Sequence, residues 1–136
     1  MEVRFLLDTD ICIYIRQKRS AVVLRRFDAL QQGEAAVSLI TFGELVYGAK
    51  KRGTFASEQS KWLELVHLLP VLPLPVEAAE RYGAIRADLE AKGQMIGNND
   101  VWIAAHALAA GLTLVTNNEK EFRRVRGLKI QNWAKK

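Results

Sequence analysis

Phe5-Leu6-Leu7-Asp8-Thr9-Asp10 is the segment of this chain that predicts most about its architecture. Three apolar residues end abruptly in a carboxylate, and a stretch without charge follows at 11–15. Such a pattern is typical of a short buried strand that leads directly into a buried helix. Open α/β sheets present their functional groups at the carboxyl ends of strands like this one. Asp8 is therefore the first candidate for a functional residue.

Further short apolar runs follow, and patterns with helical spacing lie between them. Short strands that alternate with helices predict an α/β fold, with a parallel sheet covered by helices on both faces. A glycine at position 93 is expected to end one helix, and residues 101–110 are apolar enough for an internal helix. The expected strands are Phe5–Leu7, Ala35–Ser38, Val71–Leu74, Thr113–Thr116 and, more weakly, Lys129–Gln131.

The composition is that of a globular protein and excludes several other classes. The 136 residues, 49% hydrophobic and 26% charged, fit a single domain over 1–136. The longest apolar run, 101–115, is shorter than the ~18 residues of a membrane-spanning helix, and no secretory signal pattern precedes the first strand. Cys12 is the only cysteine, so no internal disulfide can form, and a reducing cytoplasm is the expected location.

The charge balance leaves the nature of the partner open. Twenty Lys and Arg residues against 15 Asp and Glu give a net charge of +5. Basic groups can attract nucleic acid, but solvated surface charge is an equally ordinary interpretation. The basic residues cluster in three places, which are 16–26, Lys50-Lys51-Arg52, and the C-terminal stretch with Arg123, Arg124 and Arg126.

Other polar residues follow the predicted strands at the same edge of the sheet as Asp8. Glu44 lies in the helix after the second strand, Asp100 opens the apolar helix, and Asn117-Asn118-Glu119 follows the fourth strand. The carboxyl ends of parallel strands share one edge, so these groups can converge. Each of these residues could instead belong to a helix cap. Asp8 could cap the next helix by itself, and Glu44 with Thr41 and Asn118 with Glu121 have the spacing of capping boxes. Asn99 could be the N-cap of the helix whose first turn contains Asp100.

A divalent cation would account for several carboxylates gathered in one place. The positions on the same helical face as Asp100 are apolar, and Asp8 lies between two apolar segments, so both carboxylates are expected to be partly buried. A buried carboxylate is costly unless it is paired or bound to a metal. Mg²⁺ and Mn²⁺ prefer oxygen ligands. Zinc is not favoured, because His67 and His106 are isolated in the sequence.

Four segments, in order along nearly the whole chain, resemble the PIN-domain ribonucleases and especially the VapC toxins of bacterial toxin–antitoxin pairs. Each motif is weak by itself, and the four together are specific. The ending Val125-Arg126-Gly127-Leu128 and Asn132-Trp133 is also similar to this family. The segments are Phe5 to Tyr14, Ser38-Leu39-Ile40-Thr41-Phe42-Gly43-Glu44 to Ala49, Ile96-Gly97-Asn98-Asn99-Asp100 to Ala107, and Leu114-Val115-Thr116-Asn117-Asn118-Glu119 to Phe122.

The resemblance implies a three-layer α/β/α fold with a short parallel sheet and an acidic site at Asp8, Glu44 and Asp100. The fourth acidic position of the family corresponds best to Asn118, an amide, and Glu119 is a possible substitute. Asp10 stands where the family often has Asn. The implied activity is an endoribonuclease dependent on Mg²⁺ (or Mn²⁺), with Asp8 and Asp100 as metal ligands and Glu44 binding directly or through water.

The resemblance also implies partners and a class of substrate. The family's toxins are restrained by a cognate VapB-like antitoxin, typically form homodimers, and cut structured RNA such as tRNA. An apolar helix at 62–69 is a candidate for part of a dimer or antitoxin surface, and core packing is its other interpretation.

Two other functions remain open at this point. A phosphatase of the haloacid-dehalogenase type also begins with an apolar strand that ends in Asp-x-Asp, although Cys12 stands where such enzymes have Thr or Val. A non-catalytic RNA-binding module with the same fold is the other, if the amide at Asn118 has removed the chemistry.

Overall fold

Residues 2–135 of the computed structural model are described here, and they contain five strands and seven helices. Within these residues, no helix is both long and apolar enough to cross a membrane. The strands are β1 (Phe5–Leu7), β2 (Ala35–Ser38), β3 (Val71–Leu72), β4 (Thr113–Val115) and β5 (Ile130–Gln131). The helices are α1 (Thr9–Gln17), α2 (Ala21–Asp28), α3 (Leu39–Arg52), α4 (Gln59–Leu68), α5 (Ala78–Ala91), α6 (Asn98–Ala110) and α7 (Glu119–Phe122).

The five strands form one parallel sheet in the order β3-β2-β1-β4-β5. β1 lies at the centre, with Phe5 opposite Ala35 on one side and opposite Thr113 on the other. All three residues of β1 are buried, which explains why this segment has no polar alternation. The predicted three-layer α/β/α fold is confirmed.

Alternate residues of the central strands supply two separate hydrophobic cores, one on each face of the sheet. Phe5 and Leu7 pack with apolar residues of α1 to α4 and with Trp133. Leu6 and Leu114 pack on the other face with α5, α6 and α7. Helices on both faces therefore cover the sheet, and its carboxyl edge is the place where several helices begin.

The predicted strands are confirmed, with small differences at their ends. β3 stops at Leu72 because Pro73 follows, and proline has no N–H to donate to a sheet ladder. β4 stops at Val115, although the N–H of Thr116 still donates to the carbonyl of Gln131 at 3.0 Å. Gly93 follows the last turn of α5 in the left-handed region, φ +64°, as expected for a glycine after a helix end.

Two of the capping predictions are wrong because the helices begin earlier than expected. β2 runs directly into α3, and Ser38 is its N-cap, with the hydroxyl accepting from the N–H of Ile40 at 3.2 Å. Thr41 therefore does not cap α3, and Glu44 is free of a capping box. α6 begins at Asn98 after Gly97, so Asn99 is not its N-cap.

Candidate active site

Asp8 lies at the carboxyl end of the central strand, and its side chain is only 7% exposed. Its backbone N–H continues the ladder by donating to Val115 O at 2.8 Å. One carboxylate oxygen accepts from the N–H of Thr9, so Asp8 also caps α1. The other accepts from the hydroxyl of Thr116 at 2.8 Å. Both the capping and the catalytic interpretations of Asp8 are therefore compatible with one geometry.

Glu44 reaches the same edge of the sheet from the second turn of α3. Its Oε1 accepts from the hydroxyl of Thr9 at 2.8 Å, and Thr9 is the residue directly after Asp8. Its Oε2 accepts from the side-chain amide of Asn99 at 3.4 Å. Glu44 therefore bridges the starts of α1, which follows Asp8, and of α6, which contains Asp100.

Asp100 lies in the first turn of α6, half-buried, and it faces Glu44. Burial, the main cause, and the negative charges of Glu44, Glu121 and Asp10 together raise the pKa of Asp100 to about 6. Gly97 leaves room for this carboxylate, because a Cβ at that position would lie 3.2 Å from Oδ2 of Asp100. The sheet edge and three helix starts thus bring the predicted acids together.

Burial raises the pKa of both aspartates in the segment Asp8-Thr9-Asp10. Burial is the main cause that raises the pKa of Asp8 to about 7, and the charges of Asp10 and Asp100 add to it against the hydrogen bond from Thr116. Burial also raises the pKa of Asp10, although the N–H groups of Ile11 and Asn117 oppose this by donating to its carboxylate. Asp10 is therefore part of the acidic group.

No lysine or arginine within residues 2–135 neutralises this group. The ion pairs of the described chain involve other carboxylates, and none involves Asp8, Asp10, Glu44, Asp100 or Glu121. Five carboxylates without a cationic side chain are an unstable arrangement at neutral pH. The protein has therefore kept a concentration of negative charge that its own side chains do not offset.

Glu121 is a residue of this group that the sequence interpretation assigned only a capping role. Its charge acts on Asp100, and its Oε2 accepts from the side-chain amide of Asn118 at 3.1 Å. Asn118 is at the N-cap position of α7 but makes no side-chain cap bond. Its backbone N–H instead donates to the hydroxyl of Thr116, which also binds Asp8. Asn118 thus orients Glu121, and the helical turn of α7 places Glu121, three residues after Asn118, close enough for its charge to act on Asp100.

Glu119 is held away from this role by the C-terminal segment. Hydrogen bonds from Lys135 and Asn132, with the charges of Lys135 and Arg123, lower the pKa of Glu119 to about 2. Asn132 also donates to the side-chain oxygen of Asn117 at 3.1 Å. These contacts fasten the chain end to the loop after β4. The geometry therefore favours Glu121 over Glu119 as the fourth acid.

The remaining candidates have structural partners. His106 is buried, and its Nδ1 lies 2.8 Å from the hydroxyl of Ser38, so it joins α6 to the start of α3. His67 contacts Gln32 instead of an acid. Arg124 donates to the carbonyls of Gln94 and Met95 and so fixes the loop before α6. Neither histidine is placed to bind a metal at the acidic edge.

The donor set of the acidic edge fits a hard divalent cation. All of its side-chain donors are oxygens, which Mg²⁺ and Mn²⁺ prefer. Within residues 2–135, no three His, Cys, Asp or Glu side chains are close enough to enclose an ion as they stand. Mg²⁺ keeps several of its waters and needs only one or two carboxylates, so an open group of acids suits it.

Comparisons with known proteins decide the family. The model of the PIN domain matches residues 5–128. The chain belongs to the PIN-domain family, in its VapC branch. Ribonuclease VapC2 of Rickettsia felis is 39% identical over 132 residues, covering 96% of this chain and 98% of the relative. The tRNA(fMet)-specific endonuclease VapC of Shigella flexneri is also 39% identical over 132 residues, covering 97% and 99%.

A solved structure agrees with these relatives. The crystal structure of DNA-bound VapBC from Salmonella typhimurium contains a chain that is 37% identical, with a TM-score of 0.88. The alignment covers 96% of this PIN domain and 98% of that chain. The resemblance found in the four sequence segments is therefore confirmed. The haloacid-dehalogenase alternative is not favoured, because the family and the neighbours are those of PIN domains.

Proposed function

We propose that this PIN domain is the toxin of a toxin–antitoxin pair, an endoribonuclease that hydrolyses RNA phosphodiester bonds with a divalent metal ion. The observation that carries the proposal is the group of converging carboxylates without a cationic side chain, in a chain that matches VapC ribonucleases from end to end. The proposal treats residues 1–136 as one domain, and the PIN match over 5–128 supports this.

Mg²⁺ or Mn²⁺ is the proposed cofactor, with Asp8 and Asp100 as direct ligands and Glu44 as a ligand or a partner of a bound water. Such a cation lowers the pKa of water and offsets charge on a phosphate. Thr116 and Thr9 hold Asp8 and Glu44 in place through the hydrogen bonds at 2.8 Å. Asn118 acts through Glu121, which it orients at 3.1 Å.

The acidic edge needs cations before it can accept a phosphodiester. Burial and neighbouring negative charges raise the pKa values of Asp8 and Asp100, and RNA is itself a polyanion, so it is expected to bind here only when cations offset the acids. Asn99 donates to Oε2 of Glu44, and the charge of Glu44 acts on Asp100. A water bound among these carboxylates would have oxygens to accept its proton.

RNA cleavage by the purified protein tests the activity. Cleavage is expected in Mg²⁺ or Mn²⁺ and is expected to stop in excess EDTA. Asp8→Asn and Asp100→Asn are each expected to abolish cleavage and keep the far-ultraviolet circular dichroism spectrum. Asp28→Asn removes an exposed carboxylate at the end of α2 and serves as the matched control, with full activity. Unchanged cleavage by either active-site variant, or in EDTA, would disprove the proposal.

Initiator tRNA is the proposed substrate, because the relative from Shigella flexneri is named a tRNA(fMet)-specific endonuclease. Sequencing of RNA ends after induced expression is expected to find cuts concentrated in initiator tRNA. The Asp8→Asn variant provides the background. Cuts that are spread over messenger RNA, or confined to ribosomal RNA, would reject initiator tRNA as the substrate and would still support the proposed nuclease activity. Binding without cleavage in both metals would favour the non-catalytic RNA-binding alternative.

A VapB-like antitoxin is the proposed partner, and the VapBC crystal structure from Salmonella typhimurium supports it. A cytoplasmic location is proposed, because restraint by an antitoxin and action on tRNA would both require it. Homodimer formation is proposed as well. Co-expression with the product of the neighbouring small gene is expected to yield a stable complex with suppressed cleavage. A toxin that stays monomeric and uninhibited after co-expression would count against both associations.

A further inference from the structure

Trp102 is the one tryptophan of the three that the described hydrophobic cores do not use. Trp62 and Trp133 are 5% and 1% exposed and belong to the core on the α1–α4 side of the sheet. Trp102 is only partly buried and is a member of neither core cluster. Its indole N–H has no acceptor within residues 2–135. Core packing therefore does not explain a large aromatic side chain at this position.

The indole of Trp102 stacks on the ring of Tyr82, which comes from the neighbouring helix α5. The ring centroids are 3.9 Å apart, and the planes differ by 18°. Hydrogen bonds fix the orientation of Tyr82: its hydroxyl donates to the side-chain oxygen of Asn98, and Arg86 donates to that hydroxyl at 2.9 Å. Arg86 is exposed, and its other partner is Glu90 in a weak surface pair at 3.7 Å.

The stacked pair lies at the start of α6, the helix that also carries Asp100. Asn98, which holds Tyr82, and Asp100 lie in the same turn of that helix. Trp102 lies two residues beyond Asp100, about 3 Å along the helix axis and about 200° around it, so the two side chains leave α6 on different sides. Asn99, directly before Asp100, donates to Glu44. The first two turns of α6 therefore carry an acidic ligand candidate on one side and a preorganised aromatic surface on another.

We propose that an unpaired RNA base near the scissile phosphate, on a strand that crosses the start of α6, stacks on the Trp102–Tyr82 pair, with Arg86 contacting a phosphate of the same strand. This rests on the ribonuclease activity proposed above. Unpaired bases bind by stacking on aromatic side chains and on arginine planes. A positively charged arginine beside the rings favours a polyanion over an apolar partner surface. Trp102 thereby selects single-stranded segments of a folded RNA.

Binding of two RNA probes tests this role with cleavage blocked by Asp8→Asn in Mg²⁺. The probes are a fluorescein-labelled single-stranded oligoadenylate and the same strand paired with oligouridylate, followed by fluorescence anisotropy. Trp102→Leu is expected to weaken binding of the single strand roughly 5- to 100-fold, the range for loss of one stacked base. Duplex binding is expected to stay unchanged, and Trp102→Phe is expected to retain most single-strand affinity.

A matched pair of arginine variants separates the local contact from general charge. Arg86→Gln is expected to weaken single-strand binding, and Arg81→Gln, on the same helix beside a different cleft, is expected to leave it unchanged. Equal losses on both probes, or no loss with Trp102→Leu, would overturn the stacking role. So would a Trp102→Leu protein whose mass by light scattering shows a lost dimer, since the pair would then be a subunit contact.

Cleavage kinetics distinguish failure of this inference from failure of the proposed function. In the catalytically intact chain, Trp102→Leu is expected to raise KM for tRNA more than it lowers kcat, because stacking binds substrate and transition state alike. An active Trp102→Leu enzyme with an unchanged KM would reject the stacking role and would leave the proposed nuclease activity intact. A wild-type protein without cleavage in either metal would reject the nuclease, and the binding comparison would still decide whether Trp102 stacks.

Discussion

Replacement of Asp8 by asparagine is expected to stabilise the metal-free protein at alkaline pH while it abolishes cleavage. Burial, with the charges of Asp10 and Asp100, raises the pKa of Asp8 from 3.8 to about 7 against the hydrogen bond from Thr116. In the unfolded chain the Asp8 carboxyl has its ordinary pKa of 3.8. A group with a raised pKa stabilises the fold while it is protonated, and this contribution is lost as the pH rises through about 7.

The size of the effect follows from the two pKa values. The folded protein is expected to lose about 2–3 kcal/mol at Asp8 between about pH 5 and about pH 8.5, because each pKa unit corresponds to 1.36 kcal/mol. Asparagine can still accept from the N–H of Thr9, but it weakens the bond with Thr116. That loss costs about 1 kcal/mol and does not depend on pH. The change between the two pH values therefore isolates the titration of Asp8.

Urea unfolding in EDTA at both pH values measures this change. The stability of the Asp8→Asn variant relative to wild type is expected to rise by about 2–3 kcal/mol from the lower to the higher pH. Asp28→Asn, an exposed control, is expected to show no such rise. Mg²⁺ at the higher pH is expected to recover stability in wild type only, because the ion binds the folded acids. An equal difference at both pH values, or a fall, would refute the reasoning about burial.

Four further variants test other parts of the site and the fold. Glu121→Gln is expected to lower cleavage roughly 10- to 100-fold, by analogy with groups around metal ligands. Glu119→Gln is expected to loosen the chain end and to keep full activity. Equal activities of the two variants would contradict the assignment of Glu121. Gly97→Ala is expected to reduce cleavage with little change in the melting temperature, because its Cβ would press on Oδ2 of Asp100; full activity would show that the carboxylate can move. Trp133→Ala is expected to cost about 3–5 kcal/mol in urea unfolding, the range for a buried aromatic side chain; a loss below about 1 kcal/mol would mean that the chain end is not part of the core.

The strands and most of the helices could be predicted because their signals are local. Apolar runs as short as Phe5–Leu7 stand out when every residue is buried, and the helical spacing in α3 and α5 repeats over several turns. Helix starts were less certain. Ser38 and Gly97 begin α3 and α6, whereas Thr41 and Asn99 have equally suitable side chains for capping. For α3, the direct joining of β2 to the helix decides for Ser38 over Thr41, and this joining is a property of the path of the chain.

The members of the acidic site were predictable to different degrees. Asp8, Glu44 and Asp100 follow recognisable motifs, and their convergence follows from the shared carboxyl edge of a parallel sheet. Asn118 was expected as an aligned amide, and its contact with Glu121 depends on the turn of α7. The choice between Glu119 and Glu121 depends on Lys135 and Asn132, which reach Glu119 from the end of the chain.

Residue order alone was enough for the class of fold and the order of the strands along the chain, because burial and periodicity are properties of neighbouring positions. It also indicated three acids of the candidate site, through their places after the strands and the resemblance to a family. The tertiary structure decided which acids remain without a cation, since ion pairs and desolvation join residues far apart in sequence. It neutralises Glu119 and leaves Asp8, Asp100 and Glu121 unpaired within residues 2–135. It also stacks Trp102 of α6 on Tyr82 of α5, a contact between two helices that no local pattern encodes.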